Sequence, residues 1–311
     1  MTPGAALYRI RSKLAGGLTA SWYREIVRPR ILRTPSLLLP ERSEFEIHVL
    51  TSLDDWLNLI WTLKSFFHYA ECRPALCIHE DGSLTPEIGE ILKTHFVGAR
   101  LITREEADRA VLPELEGYPK CREFRESNHL ALKIFDLMHY ANSPRVLLID
   151  SDVLTYQKPS ELLGTLSVTE ALNRFNRDVE DAYTSDREAL SDTFNIAVAE
   201  RYNSGLCSLH TDSLKLGRIE QFLESEQLDG HFWRIEQTLF CLTSSEYGCE
   251  PFPESYDVIL EQGISGKPVK HYVGAIRNLM YSEGVRHLVK TGFLSELMVA
   301  KQPELMGVDH D

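Results

Sequence analysis

The chain has 311 residues, 43% of them hydrophobic, and a formal net charge of −13. That length can bury one large core or two modest ones, and the acidic balance weighs against general nucleic-acid binding. No run of 18 apolar residues occurs, so no segment reads as a bilayer-spanning helix.

The charge is unevenly spread. Residues 1–40 hold seven Arg and Lys against Glu25 alone, a net of +6, which leaves −19 for the remainder. Leu7, Ile10, Leu14, Leu18, Trp22 and Ile26 recur at near-helical spacing, and Gly16-Gly17 divides the stretch into two short helices. Two readings stand here: a segment lying on anionic lipid headgroups, or a helix packed across the main domain with its basic face on the acidic body. Thr34-Pro35 through Pro40 reads as a linker, giving a basic helical extension over 1–43 and a main domain over 44–311. The N-terminus lacks the apolar core and cleavage site of a secretory signal. Cys72, Cys77, Cys121, Cys207, Cys241 and Cys249 show no metal-type pairing. The expectation is a cytoplasmic protein with reduced thiols, peripheral at a membrane if the leader docks there.

Residues 44–51 alternate and then turn apolar, a first strand. Ser52-x-x-Asp55 has the pattern of a capping box, opening a helix striped by Trp56, Leu59, Ile60, Leu63, Phe66 and Phe67. Residues 75–79 form a second strand, Thr85-Pro86 starts another helix, and 99–102 is a short third strand. Strands alternating with helices predict a mostly parallel sheet flanked by helices, an α/β protein. No G-x-G-x-x-G or G-x-x-x-x-G-K-[ST] follows the first strand, against a dinucleotide or P-loop site. Leu130, Ile134, Leu137, Met138 and Ala141 mark a further helix, with Lys133, Asp136 and Tyr140 on its other side.

That helix leads into Val146-Leu147-Leu148-Ile149, an apolar run that reads as a strand buried on both faces. Asp150 and Asp152 follow at once. Side chains two apart in extended chain point the same way, so both carboxylates reach one point past the strand's end, where open α/β sheets bind ligands. Two hard oxygen donors suit Mg²⁺ or Mn²⁺ carrying a phosphate; a solvated acidic turn is the plainer alternative. Beyond lie a helix near Pro159 and an acidic stretch over 170–200 with little periodicity, expected as an insertion or mobile segment. A strand over 202–210 follows with Asn203 and Gly205 at its start, then a helix carrying Glu236-Gln237 and a last strand over 269–274.

In series these pieces resemble the GT-A fold nucleotide-sugar glycosyltransferases, most closely glycosyltransferase family 8, across residues 45–280. Leu132-Lys133 through Asp152-Val153-Leu154 is similar to the family's L-K…D-x-D-V-L block. Asn203-Ser204-Gly205 is similar to its F-N-[SA]-G, Glu236-Gln237 to its D-Q, and His271 to Gly274 to its H-x-x-G. Arg277 stands where the family usually has Lys, and Asn278-Leu279 replace its following aromatic.

The resemblance implies a metal-dependent transferase, retaining anomeric configuration, that moves a hexose from a UDP-sugar to a glycan or glycolipid. Asp150, Asp152 and His271 would hold Mn²⁺ or Mg²⁺; for His271 the alternative is a packed structural histidine. Thr51, Asp54, Asp55, Lys133, Asp150, Gly274 and Arg277 would bind the donor. Gln237, Glu236 and Asn203 would stand on the sugar and acceptor side. Asp55 has the helix cap as a second account, and Lys133, Arg277 and Glu236-Gln237 have solvated surface positions as theirs. A haloacid-dehalogenase-type phosphatase needs its aspartates on the first strand, and a pyrophosphorylase needs a basic Gly-rich loop after it; neither pattern is present. A non-catalytic GT-A domain that binds a nucleotide sugar or docks on a membrane is the alternative from another class.

Overall fold

The computed structural model describes residues 17–166, 169 and 171–299. The helix expected over 5–16 lies outside them. Eleven strands are described: β1 (Leu37–Leu38), β2 (Phe45–Thr51), β3 (Ala75–Glu80), β4 (Phe96–Val97), β5 (Arg100–Ile102), β6 (Arg145–Ile149), β7 (Val153–Thr155), β8 (Asn173–Arg177), β9 (Tyr202–His210), β10 (Cys249–Pro251) and β11 (Val269–His271). Seven form one sheet in the order β10-β8-β9-β6-β2-β3-β5. Only β9 runs against its neighbours β6 and β8; the other pairings are parallel. The mostly parallel α/β architecture is as expected.

Side-chain alternation divides this sheet between two cores. Ile47, Val49, Ile78, Leu147 and Ile149 face one core, beneath helix α1 (Trp56–Ala70). Val146, Leu148, Cys207 and Leu209 face the other, against α2 (Leu132–Tyr140) and α3 (Phe232–Tyr247). The strand β6 is therefore apolar at successive positions because both of its faces are covered.

Two antiparallel pairings bring distant chain to the end of β6. Because β9 runs back along β6, with Ile149 opposite Leu206, the Asn203–Gly205 start of β9 lies beside Asp150, whose N–H donates to Gly205 O at 2.8 Å. Similarly, β11 pairs with β7, setting His271 opposite Val153 and next to Asp152.

Several local expectations are corrected. The capping box does not form: the Asp55 side chain makes no cap bond and instead accepts from Asn58 and Arg277. Lys133 and Asp136, placed by the sequence on the other side of the helix from its apolar stripe, are both buried, because the chain folds a carboxylate against the first and a cation against the second, so the solvated alternative for Lys133 falls away. The acidic stretch over 170–200 supplies β8, a strand inside the main sheet, and a helix over Arg187–Phe194. Its strand Asn-Arg-Phe-Asn-Arg was hidden by polar side chains: Asn173 is buried, donating to Ser244 and accepting from the His210 N–H.

Residues 17–33 are helical throughout and pack onto α1. Ala20, Val27 and Ile31 are buried, Arg28 donates to Asn58, and Trp61 Nε1 donates to Arg28 O at 3.0 Å. Leu18, Trp22 and Ile26, four residues apart on one side, stay exposed at 81%, 56% and 49%. The six cysteines are unpaired thiols. Among the described residues no helix is long and apolar enough to cross a membrane.

Candidate metal centre and cleft

A cleft with a cavity volume of about 160 Å³ opens at the C-terminal ends of β2 and β6. Thr51, Asp55, Lys133, Asp150, Asp152 and Arg277 stand on its wall, together with Asp81, His129 and Ser151. Parallel strands put their loops at this edge, which is why residues from five separate parts of the chain meet there.

At its floor, Asp150, Asp152 and His271 present one ligand atom each, all within 4.8 Å of one another. His271 Nε2 is 3.1 Å from Asp152 Oδ1 and 4.0 Å from Asp150 Oδ2. Neighbouring bonds select its tautomer. Asn203 Nδ2 donates to Asp178 Oδ2 at 2.8 Å, and Asn203 Oδ1 accepts from the Gly205 N–H at 3.0 Å. His271 Nδ1, 2.9 Å from that same oxygen, must then be the donor. The free nitrogen, Nε2, is left facing two carboxylates, and only a proton or a metal ion satisfies all three groups. Asp152 Oδ1 is buried and accepts no well-aligned hydrogen bond. One imidazole and two carboxylates are a donor set for Mn²⁺ or Mg²⁺ more than for a thiophilic ion, so the residues fit a divalent cation.

The electrostatics agree. Burial alone would raise the Asp152 carboxyl, but His271 and then Arg277 outweigh it and hold the group well below the usual carboxylate range. Burial pulls the His271 imidazole down, yet Asp152 and then Asp150 overcome it and raise it.

Glycine is required at 205 by this packing. A Cβ there would lie 2.1 Å from His271 Cε1 and 2.8 Å from Nε2, a distance no side chain tolerates. The fold thus reserves room for the imidazole edge.

Lys133 and Arg277 are both engaged by carboxylates. Lys133 Nζ is 2.9 Å from Asp150 Oδ1 and 2.9 Å from Glu236 Oε1, and Ser204 donates to the other Glu236 oxygen at 2.9 Å. Burial opposes the Lys133 charge, but Asp150 and Glu236 raise its pKa above the ordinary lysine value. Arg277 reaches over the cleft: Nη2 donates to Asp152 Oδ2 at 2.7 Å, and Nη1 is 3.3 Å from Asp55 Oδ1. Its side chain is 43% exposed, so it can swing without unpacking the core.

By sequence, the chain matches no known family and no curated protein. By structure it is similar to the galactosyltransferase LgtC solved with donor and acceptor sugar analogues. That likeness has a TM-score of 0.52 at 12% identity, covering 83% of this chain and 98% of that one. An active-site mutant of LgtC aligns over the same shares at 0.51 and 12%. The chain has a GT-A fold. Mouse xyloside xylosyltransferase 1 in its apo form also matches, at 0.47 and 10% identity, over 75% of this chain and 99% of that one.

In this GT-A frame, most of the residues singled out from the sequence converge. Thr51, Asp55, Lys133, Asp150, Asp152 and Arg277 share the cleft, and His271 meets the aspartates. Glu236 lies behind Lys133. Asn203 is buried against His271 and Asp178, where it orients the imidazole. Gln237 is buried, its amide donating to Ala182 O at 3.2 Å. Asp54 and Gly274 are exposed and stand off the cleft wall. Sequence reasoning missed Asp178, which holds Asn203 from within the acidic stretch, and Asp81, visible only as the turn that closes β3.

Proposed function

We propose that this chain is a metal-dependent glycosyltransferase, of the family 8 type, that moves a hexose from a UDP-sugar to a glycan or glycolipid acceptor with retention. The observation that carries this reading is the meeting of Asp150, Asp152 and His271 at the floor of a cleft on a GT-A fold. A divalent ion held there would stabilise the charge that gathers on the departing diphosphate. The chain's own groups do the rest. Asp150 and Asp152 supply hard oxygens, and Asn203 keeps the His271 Nε2 lone pair turned toward them. Arg277, half-exposed and planar, exchanges a carboxylate for a phosphate oxygen with little geometric cost. Thr51 and Asp55, at the end of β2, take the base and ribose side. Glu236 shares one ammonium with Asp150, tying the sugar side, with its neighbour Gln237, to the metal side.

Calorimetry with UDP tests the proposal. UDP should bind in the presence of Mn²⁺ and not in its absence. Asp152→Ala should lower metal-dependent UDP affinity and UDP-sugar hydrolysis by at least about 100-fold with the fold retained. Metal-independent binding, or full activity in the variant, would refute the assignment. A second reading, a non-catalytic nucleotide-sugar binder, draws on Arg277 claiming one oxygen of Asp152. Tight metal-dependent binding with no turnover on any UDP- or GDP-sugar would favour it.

The same proposal includes an anionic membrane surface as partner. Leu18 and Trp22 share a groove with Arg286 and Lys290, so apolar and basic side chains face solvent together. Deleting residues 1–33 would also strip Val27 and Ile31 from the core, so point changes are the cleaner test. Leu18→Ser, Trp22→Ser and Ile26→Ser combined should weaken binding to phosphatidylserine vesicles by about tenfold or more, as loss of buried apolar surface predicts, and leave UDP binding intact. Unchanged vesicle binding would remove this face from the proposal.

A further inference from the structure

A second cluster of metal-capable side chains lies inside the sheet, away from the cleft. His48 on β2 and Cys77 and His79 on β3 alternate with Ile47, Val49, Leu76 and Ile78, so all three project from the opposite face to the α1 core. The register sets His48 directly opposite Cys77, with His79 two residues further along. Their exposures are 0%, 0% and 2%, and their ligand atoms lie within 4.8 Å of one another.

The hydrogen bonds put one lone pair in place and leave the other a tautomer shift away. His48 Nε2 is 3.1 Å from Glu46 Oε2, which also accepts from Arg100 at 2.9 Å and from the Asn142 N–H at 3.0 Å. Glu46 Oε2 can only accept there, so the proton sits on His48 Nε2, the His48 Nδ1 lone pair accepts from the His79 Nε2–H at 3.0 Å, and metal binding moves the His79 proton to its partnerless Nδ1. A carboxylate behind an imidazole is how metal-ligating histidines are commonly held. Arg100, the nearest cation, is already neutralised by Glu46. Among the described residues no hydrogen bond engages the Cys77 thiol, and His79 Nδ1 is buried without a partner.

We propose that His48, Cys77 and His79 form a buried three-ligand site for a thiophilic transition-metal ion, copper(I) before zinc, whose structural sites take a fourth ligand. Two imidazoles and a thiolate select zinc or copper(I) over the oxygen-seeking ions that suit the cleft. Zinc–nitrogen bonds of about 2.0–2.1 Å at the tetrahedral angle require the two imidazole nitrogens about 3.3 Å apart, a small opening from the separation observed. Binding forms two metal–nitrogen bonds and one metal–sulfur bond, and the thiol proton passes to solvent. No face of the site is open to a substrate. Its effect is to tie β2 to β3, whose C-terminal ends carry Thr51 and Asp81 to the cleft. This inference stands apart from the proposed transferase activity.

The test uses full-length protein purified without a histidine tag and dialysed against a weak chelator. Elemental analysis should find one zinc or copper(I) per chain. Because the site is dry, cobalt is introduced by refolding metal-free chain with Co²⁺, and a sulfur-to-cobalt charge-transfer band should appear. Cys77→Ala and His79→Gln should retain about one-tenth of the metal or less. Asp152→Ala should keep it while losing Mn²⁺ binding followed by electron paramagnetic resonance. X-ray absorption at the metal edge of the wild-type chain should count one sulfur and two imidazoles, which decides the matter even if a variant fails to fold. A wild-type chain with no bound metal and no cobalt–sulfur band, a band that survives Cys77→Ala, or a coordination shell without sulfur would overturn the proposal.

Discussion

Gly205→Ala is expected to lower Mn²⁺ affinity by at least about 100-fold and to remove metal-dependent UDP binding, although residue 205 offers no ligand atom. The new Cβ would sit 2.1 Å from His271 Cε1. The backbone is held on the β6 side, where Gly205 O accepts from the Asp150 N–H, and by the Gly205 N–H, which donates to Asn203 Oδ1; against β8, residues 204–206 lie in a register shift and have no strand partner. The imidazole must therefore leave its place between Asn203 and Asp152. Overpacking of this kind costs about 1–3 kcal/mol of stability, so the chain should still fold. A double-mutant cycle sharpens the test. Once His271→Ala has removed the ring, adding Gly205→Ala should change Mn²⁺ affinity hardly at all, because the clash and the ligand are the same group. Normal Mn²⁺ binding by the Gly205→Ala protein would mean that His271 is not a ligand.

The largest expected loss of stability is that of Lys133→Met. Lys133 and Glu236 are each 3% exposed in their side chains, and Lys133 lies 2.9 Å from both Glu236 and Asp150. Truncating the cation leaves Glu236 charged and buried with no counter-ion, a change worth about 3–5 kcal/mol. Asp150 is partly solvated and adds less. Urea denaturation would measure the loss, and Glu236→Gln in the same chain should recover a large part of it by removing the stranded charge. A cost under about 1 kcal/mol would show that the ammonium is not the centre of this network.

Lys133 also marks where reading along the chain reaches its limit. Its helix was legible from Leu130, Ile134 and Leu137, and helical period puts Lys133, three residues after Leu130 and four before Leu137, on the flank of that stripe. Period says nothing of what that flank meets. In the fold it meets Asp150, just past β6, and Glu236 from α3, so the cation read as a donor-binding group, with a solvated position as the alternative, is buried between two carboxylates. Ser52 and Asp55 make the same point: the capping pattern is local, but Arg277, more than two hundred residues on, competes for the Asp55 carboxylate. In β8, Asn173 and Asn176 are buried by partners that lie elsewhere in sequence, so the strand had no apolar alternation to announce it.

Sequence by itself determined the alternating strands and helices, the doubly buried run ending at Ile149, and the aspartate pair just beyond it. These depend on side-chain period and on apolar residues seeking cover, which neighbouring residues encode. Tertiary structure alone decided that β9 and β11 run antiparallel into the end of β6, that Asn203 turns the His271 ring, and that Gly205 makes room for it. Hydrogen-bond and charge partners are chosen by distance in space, and chain separation carries no information about that distance until the sheet has closed.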